Sequence, residues 1–94
     1  MKYVSRKGIV LCEIAEQNVL IAAQRLRKEV PYATILNDTG AFCWKHLEGG
    51  TDEEKLCRLI REEFEIDQED VIAKDVHTLL MQLKEHNYIR EVSE

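Results

Sequence analysis

Cys43 and His46 stand at i and i+3 in the run "AFCWKHLEGG", a spacing that brings two side chains together on one face of a helix. A thiol beside an imidazole is a nucleophile beside its base, provided that a third group orients the imidazole. No residue is marked for that third role. Cys43 reads more simply as a small buried hydrophobe, with His46 at the surface. Metal chemistry lacks its pattern, since neither Cys-x-x-Cys nor His-x-x-x-His occurs. The carboxylates of Asp52, Glu53, Glu54, Glu62, Glu63 and Glu65 read as a solvated helix face, because acid–base work needs a pocket that perturbs them. The expectation is therefore no catalytic residue, no metal and no cofactor.

The turn "NDTG", Asn37 to Gly40, is the other place where chemistry is conceivable, because strand-to-helix turns often hold phosphates or nucleophiles. It has no Gly-Lys-Ser or Gly-Lys-Thr, no spaced glycines and no Ser between glycines. It reads as a cap: Asn37 satisfies free helix amides, and Gly40 lets the helix approach its neighbour closely. Trp44 reads as core or rim packing.

These residues are positioned by a small sheet and three helices. "GIVLCEIA" (Gly8 to Ala15) and "NVLIAAQ" (Asn18 to Gln24) have the Val, Ile and Leu content of strands. Only Glu16 and Gln17 separate them, so they form a hairpin, with Asn18 taking the left-handed position that the missing glycine would supply. After the polar loop "QRLRKEVPY", the segment "ATILN" is a short third strand with Pro31 just before it, a placement that suits a strand start or an exposed edge. The first helix is capped by Asn37 or Asp38, runs to about Leu47 and stops at Gly49 and Gly50. Thr51 and Glu54 form a capping box for the second helix, whose stripe is Leu56, Leu59, Ile60 and Phe64. Asp67 caps the third helix, which runs to about His86 with the stripe Ile72, Val76, Leu79, Leu80 and Leu83. Asn87 takes a left-handed closing position, and Tyr88 and Ile89 return to the core as an extended tail. This is one α+β domain over residues 1–94, a three-stranded antiparallel sheet followed by three helices, the last two similar to a winged helix-turn-helix.

Composition excludes several classes. The 45% apolar fraction with a single Pro fits an ordered chain. The net charge of −5 repels phosphate backbones, so nucleic acid is a poor partner. The third helix sets Asp70, Asp75 and Glu85 against Lys74 and Lys84, the wrong balance for reading a duplex. No run approaches the ~20 apolar residues of a membrane span, and the N-terminus lacks a secretory pattern. The three widely spaced cysteines, Cys12, Cys43 and Cys57, fit free thiols in a reducing cytoplasm.

"TILNDTGAFCWKHLEGGT" resembles a segment of the PqqD family that reads Leu-Asn-(Glu/Asp)-Thr-Gly-Ala, a Trp two residues on, then a short Gly-ended helix and Thr. "KDVHTLLMQLKEHNYI" resembles that family's closing helix, with Asp75 and Val76 matching an Asp-Val pair and Asn87 standing where Gly is usual. The hairpin fits the opening strands, although Glu16 and Gln17 replace its expected turn glycine. The resemblance implies a non-catalytic protein of pyrroloquinoline quinone synthesis. Such a protein binds a precursor peptide and presents it to a radical enzyme that carries iron–sulfur clusters and uses S-adenosylmethionine. It also implies that the leader peptide lies against the third strand, beside the third helix; the same fold recurs in other peptide-modifying systems.

On this reading Tyr32, Thr34 and Leu36, or the alternate set Ala33 and Ile35, line the strand side of the site, with Pro31 removing one donor nearby. Asp75, Thr78 and Gln82 flank the third helix's stripe on one side, and His77 and Lys84 on the other. Sequence leaves open which flank faces the groove. The loop cations Arg25, Arg27 and Lys28 are candidates for meeting the enzyme partner. A homodimer is left open. The rival readings are a winged-helix DNA-binding regulator, which needs a positive third helix, and a thiol enzyme, which needs a reactive Cys43.

Overall fold

The computed structural model describes residues 1–93. In chain order the elements are β1 (Lys2–Ser5), β2 (Ile9–Ile14), β3 (Gln17–Ala22), β4 (Thr34–Leu36), α1 (Asp38–Leu47), β5 (Thr51–Asp52), α2 (Glu53–Phe64), α3 (Glu69–Glu85) and β6 (Ile89–Val92). The expected sheet is β2–β3–β4, antiparallel throughout. A second three-stranded sheet, β5–β1–β6, was not expected from the sequence. Its strands are too short to show a period, and they pair the two ends of the chain: Tyr3 lies opposite both Thr51 and Glu91. The expected extended tail is the start of β6. Trp44, Leu47, Leu56, Leu80 and Tyr88 are among the fully buried side chains of the core between the sheets and helices.

The first hairpin turns one residue earlier than its sequence suggests. Ala15 and Glu16 carry the positive φ values, 50° and 66°, while Asn18 sits within β3, opposite Glu13 and Leu36. The register is fixed by the core: Leu20 and Ala22 are buried, and slipping by one residue would turn both outward. A two-residue turn with both φ positive also matches the strands' twist. Left-handed backbone costs a residue with a β-carbon roughly 1–2 kcal/mol. Ala15→Asn combined with Glu16→Gly is therefore expected to stabilise the domain by about 1 kcal/mol, a rise in Tm of about 4–8 °C at this size. A calorimetric scan checks this, and an unchanged or lower Tm would remove the turn as a site of strain.

Two helix caps also differ from expectation. Thr51 does not cap α2; it pairs with Tyr3 in β5, buried, and its hydroxyl has no hydrogen-bond partner among the described residues. Asp52 is the cap, accepting from the Lys55 amide at 2.7 Å. Strand pairing thus displaces the cap by one position. Asp67 does not cap α3 either: the cap residue is Gln68, without a side-chain bond, and Glu69 and Asp70 place negative charge in the first turn, where the helix dipole favours it. The far end of α3 closes as expected. Asn87 has φ 64°, and the bonds Tyr88 N–H to Leu83 O (2.9 Å) and Asn87 N–H to Lys84 O (3.1 Å) form a Schellman motif. That turn brings Tyr88 back into the core.

Candidate functional site

β4 is an edge strand: among the described residues it pairs with β3 alone, which leaves its other side unpaired. The α1 cap holds one end of it. Asn37 Oδ1 accepts from the Gly40 amide at 2.7 Å, one of the orphan donors of a helix start. A β-carbon on Gly40 would stand 3.2 Å from that oxygen and 3.3 Å from Leu36 Cβ, so glycine permits the close approach of α1 to β4. Tyr88 holds the other end. Its hydroxyl donates to the Tyr32 carbonyl at 3.0 Å. A tyrosine has one hydroxyl hydrogen, so the 2.7 Å contact with Thr34 has Thr34 as donor. The buried hydroxyl of Tyr88 thus ties the approach to β4, and β4 itself, to the end of α3.

A trough lies beside this strand. One hollow of about 460 Å³ is bounded by Thr34, Ile35 and Leu36 on the strand side and by Gln82, Glu85 and His86 at the end of α3. An adjoining hollow of about 380 Å³ runs along α3 under the start of α1; Asp75, Thr78 and Gln82 rim it, and Cys43, Ile60, Ile72 and Val76 are among its apolar lining. The two share Asn37, Leu79 and Gln82.

Side-chain contacts show which flank of α3 borders the trough. His77 Nδ1 lies 2.7 Å from Glu53 Oε1, so that flank is turned to α2. Lys84 is bound to Glu91 of β6. Asp75, Thr78 and Gln82 remain on the trough side. Thr34, Ile35 and Leu36 are brought together with Gln82, whereas Tyr32 and Ala33 lie on the loop before β4. There Tyr32 stacks on His86 with ring centroids 5.1 Å apart. Pro31 also lies outside the three-residue strand, so it removes no donor from it. Sequence reasoning missed Leu79, His86 and Tyr88 as trough residues; the left-handed Asn87 was the signal that the chain folds back there.

Arg25, Arg27 and Lys28 are exposed on the loop between β3 and β4. The loop is not shapeless: Gln24–Leu26 form a 3-10 turn, and Val30 is buried in the core. Arg6 pairs with Glu29 at 3.3 Å.

The rival chemistries do not find their geometry. Cys43 is fully buried, and burial, then the neighbouring Cys57, pushes its thiol up to about 12. It stays protonated near neutrality, the opposite of an activated thiolate. His46 packs against the Phe42 ring at 4.8 Å. Trp44 is core, not a ligand cage. Among the described residues, no group of three or more His, Cys, Asp or Glu converges as a metal site, and no helix is long and apolar enough to cross a membrane. On α3, one of the two lysines that a duplex would need is held by Glu91.

The family model "Coenzyme PQQ synthesis protein D (PqqD)" matches residues 19–89, which include the trough. Two solved structures share the fold. The structure described as "Lasso peptide synthetase B1 complexed with the leader peptide" is 20% identical, covers 95% of this chain and 98% of its own, and superposes with a TM-score of 0.71. The structure described as "TbiB1 in Complex with the TbiA(beta) Leader Peptide" is 20% identical, covers 97% of this chain and 99% of its own, and has a TM-score of 0.72. No curated protein sequence matches the chain.

Proposed function

This chain belongs to the PqqD family, and from that premise we propose that it is a non-catalytic presenter of a ribosomally made precursor peptide. The peptide's leader adds as a further strand to the free edge of β4, and the bound precursor is offered to the enzyme that modifies it. The observation that carries this reading is an unpaired strand edge facing an apolar-floored trough. Main-chain bonds to a sheet edge supply affinity to any extended peptide, and alternate side chains supply specificity. Tyr32, Ala33, Thr34, Ile35 and Leu36 serve the strand side, and Asp75, Thr78 and Gln82 the helix side. The two solved neighbours are described with leader peptides bound, which supports the same use of the fold here.

Magnitudes fit a presenter. A strand of about five residues adds a few ladder bonds at roughly 1 kcal/mol net each. One or two buried side chains add about 1.5–3 kcal/mol each. After ordering costs the affinity is on the order of micromolar, weak enough to hand the peptide on. The enzyme partner is of the radical S-adenosylmethionine type, in a pathway such as pyrroloquinoline quinone synthesis, and it meets the cationic loop of Arg25, Arg27 and Lys28 through an acidic surface. The reading places the module in the cytoplasm, where its three free thiols stay reduced.

Mass spectrometry of the precursor tests this. The chain alone leaves the peptide unchanged, and adding it to the cognate enzyme raises turnover. Modification by the chain alone, or full modification by the enzyme without it, would sink the proposal.

Asn37 borders both hollows but acts as a cap. Asn37→Ala is expected to cost about 1 kcal/mol of stability and to leave leader binding by the folded fraction in place. Denaturant unfolding with a binding titration checks both parts; unchanged stability with lost binding would make Asn37 a ligand contact instead.

A further inference from the structure

The sheet β2–β3–β4 has a second face that is largely open among the described residues. Leu20, Ala22 and Leu36 point into the core. On the opposite face, Cys12 lies across from Val19 and Val19 across from Ile35, a straight row over all three strands. To one side of that row stand Val10 and Ile21, to the other Ile14 and Gln17. Val10 is 51% exposed, Ile14 50% and Ile35 61%, so the face is largely apolar and open.

Its two ends differ in charge. At the end that joins β3 to β4, Arg25, Arg27 and Lys28 are exposed near Lys7 on the β1–β2 connection, and Arg27 lines the same hollow as Ile21. At the other end, the hairpin turn carries exposed Glu16.

We propose that a second copy of this chain covers this face, sheet against sheet, about a two-fold axis lying along the Cys12–Val19–Ile35 row. Rotation about that row reverses the strands. The Val10–Ile21 row of one copy then lies over the Ile14–Gln17 row of the other, and each basic end lies over the partner's acidic turn. One face thus supplies both halves of the complementarity, as an isologous interface requires. Sheets stack in this manner about 10 Å apart. Two strands of six residues and one of three present a patch on the order of 250 Å², below the ~800 Å² per partner of a standard interface. The pair is therefore weak, forming and separating with concentration. The cationic loop is common to this contact and to the proposed enzyme contact, so the two compete.

The test uses the chain alone, with no peptide, and so is independent of the peptide reading. In a Cys57→Ser background, Cys12 is the remaining cysteine that is not buried. A stacking distance of about 10 Å exceeds the 4.4–6.8 Å between α-carbons of a disulfide, so a short bifunctional thiol reagent is used in place of oxidation. Sedimentation equilibrium from low micromolar to millimolar protein is expected to show a monomer passing to a dimer, and the reagent to join two chains through Cys12. Val10→Ser with Ile14→Ser, both at half-exposed positions, is expected to raise the dissociation constant about tenfold or more and to abolish the cross-link. If that variant fails to fold, the Cys12 cross-link decides alone. A monomer at every concentration, a dimer without the Cys12 cross-link, or a dimer indifferent to the double substitution would overturn the proposal.

Discussion

Gln82→Trp is expected to weaken leader-peptide binding about thirtyfold or more, close to 2 kcal/mol, while leaving the fold intact. Gln82 is exposed on α3 and borders both hollows of the trough. An indole there occupies the space between helix and strand that an added peptide strand needs. Exposed helix substitutions usually change stability by less than about 0.5 kcal/mol, so a loss of binding would not reflect unfolding. His77→Trp is the matched control: the same residue introduced five positions away, on the flank that contacts Glu53 of α2. Calorimetric titration with the leader peptide should separate the two variants. Equal affinities for both, or a greater loss in His77→Trp, would place the peptide elsewhere.

Trp44→Ala is expected to have the largest effect on stability, about 3–5 kcal/mol. Small domains have a total of about 5–15 kcal/mol to lose, so the variant should be partly unfolded at physiological temperature. The indole is 1% exposed, packed in the core, and truncation removes its apolar burial and leaves a cavity that the helices cannot close. Trp44→Phe should keep most of that stability. Denaturant unfolding of both variants checks this. A loss below about 1 kcal/mol in the alanine variant would mean that the ring is not part of the packed core.

The parts of this fold legible in the sequence are those set by near neighbours. The Asn37 cap, the glycine stop after Leu47, the stripe of α3 and the left-handed Asn87 each follow from residues within a few positions. The parts missed depend on partners far away in the chain. β1 and β6 pair residues 2–5 with residues 89–92, and neither strand is long enough to announce itself. Thr51 has the sequence of a cap, but pairing with Tyr3 draws it into β5. The hairpin turned at Ala15 and Glu16 because the burial of Leu20 and Ala22 fixed the register, overriding the preference for Asn in a left-handed position. The same holds for the site. The strand beside the trough was readable from "ATILN", but the flank of α3 that borders the trough is shown by the contacts of His77 with Glu53 and of Lys84 with Glu91. Those contacts join α3 to α2 and to β6, and no spacing within α3 reveals them. Tyr88 was readable as core, while its role in tying β4 in place required knowing that Thr34 and Tyr32 lie beside it.

Peptide addition at the β4 edge is tested most directly by nuclear magnetic resonance titration of the nitrogen-labelled chain with its leader peptide. The backbone amides of residues 32–36, and those of α3 around Asp75, Thr78 and Gln82, are expected to shift together along one binding curve. Shifts confined to the β2–β3 hairpin, with β4 and α3 unmoved, would contradict it.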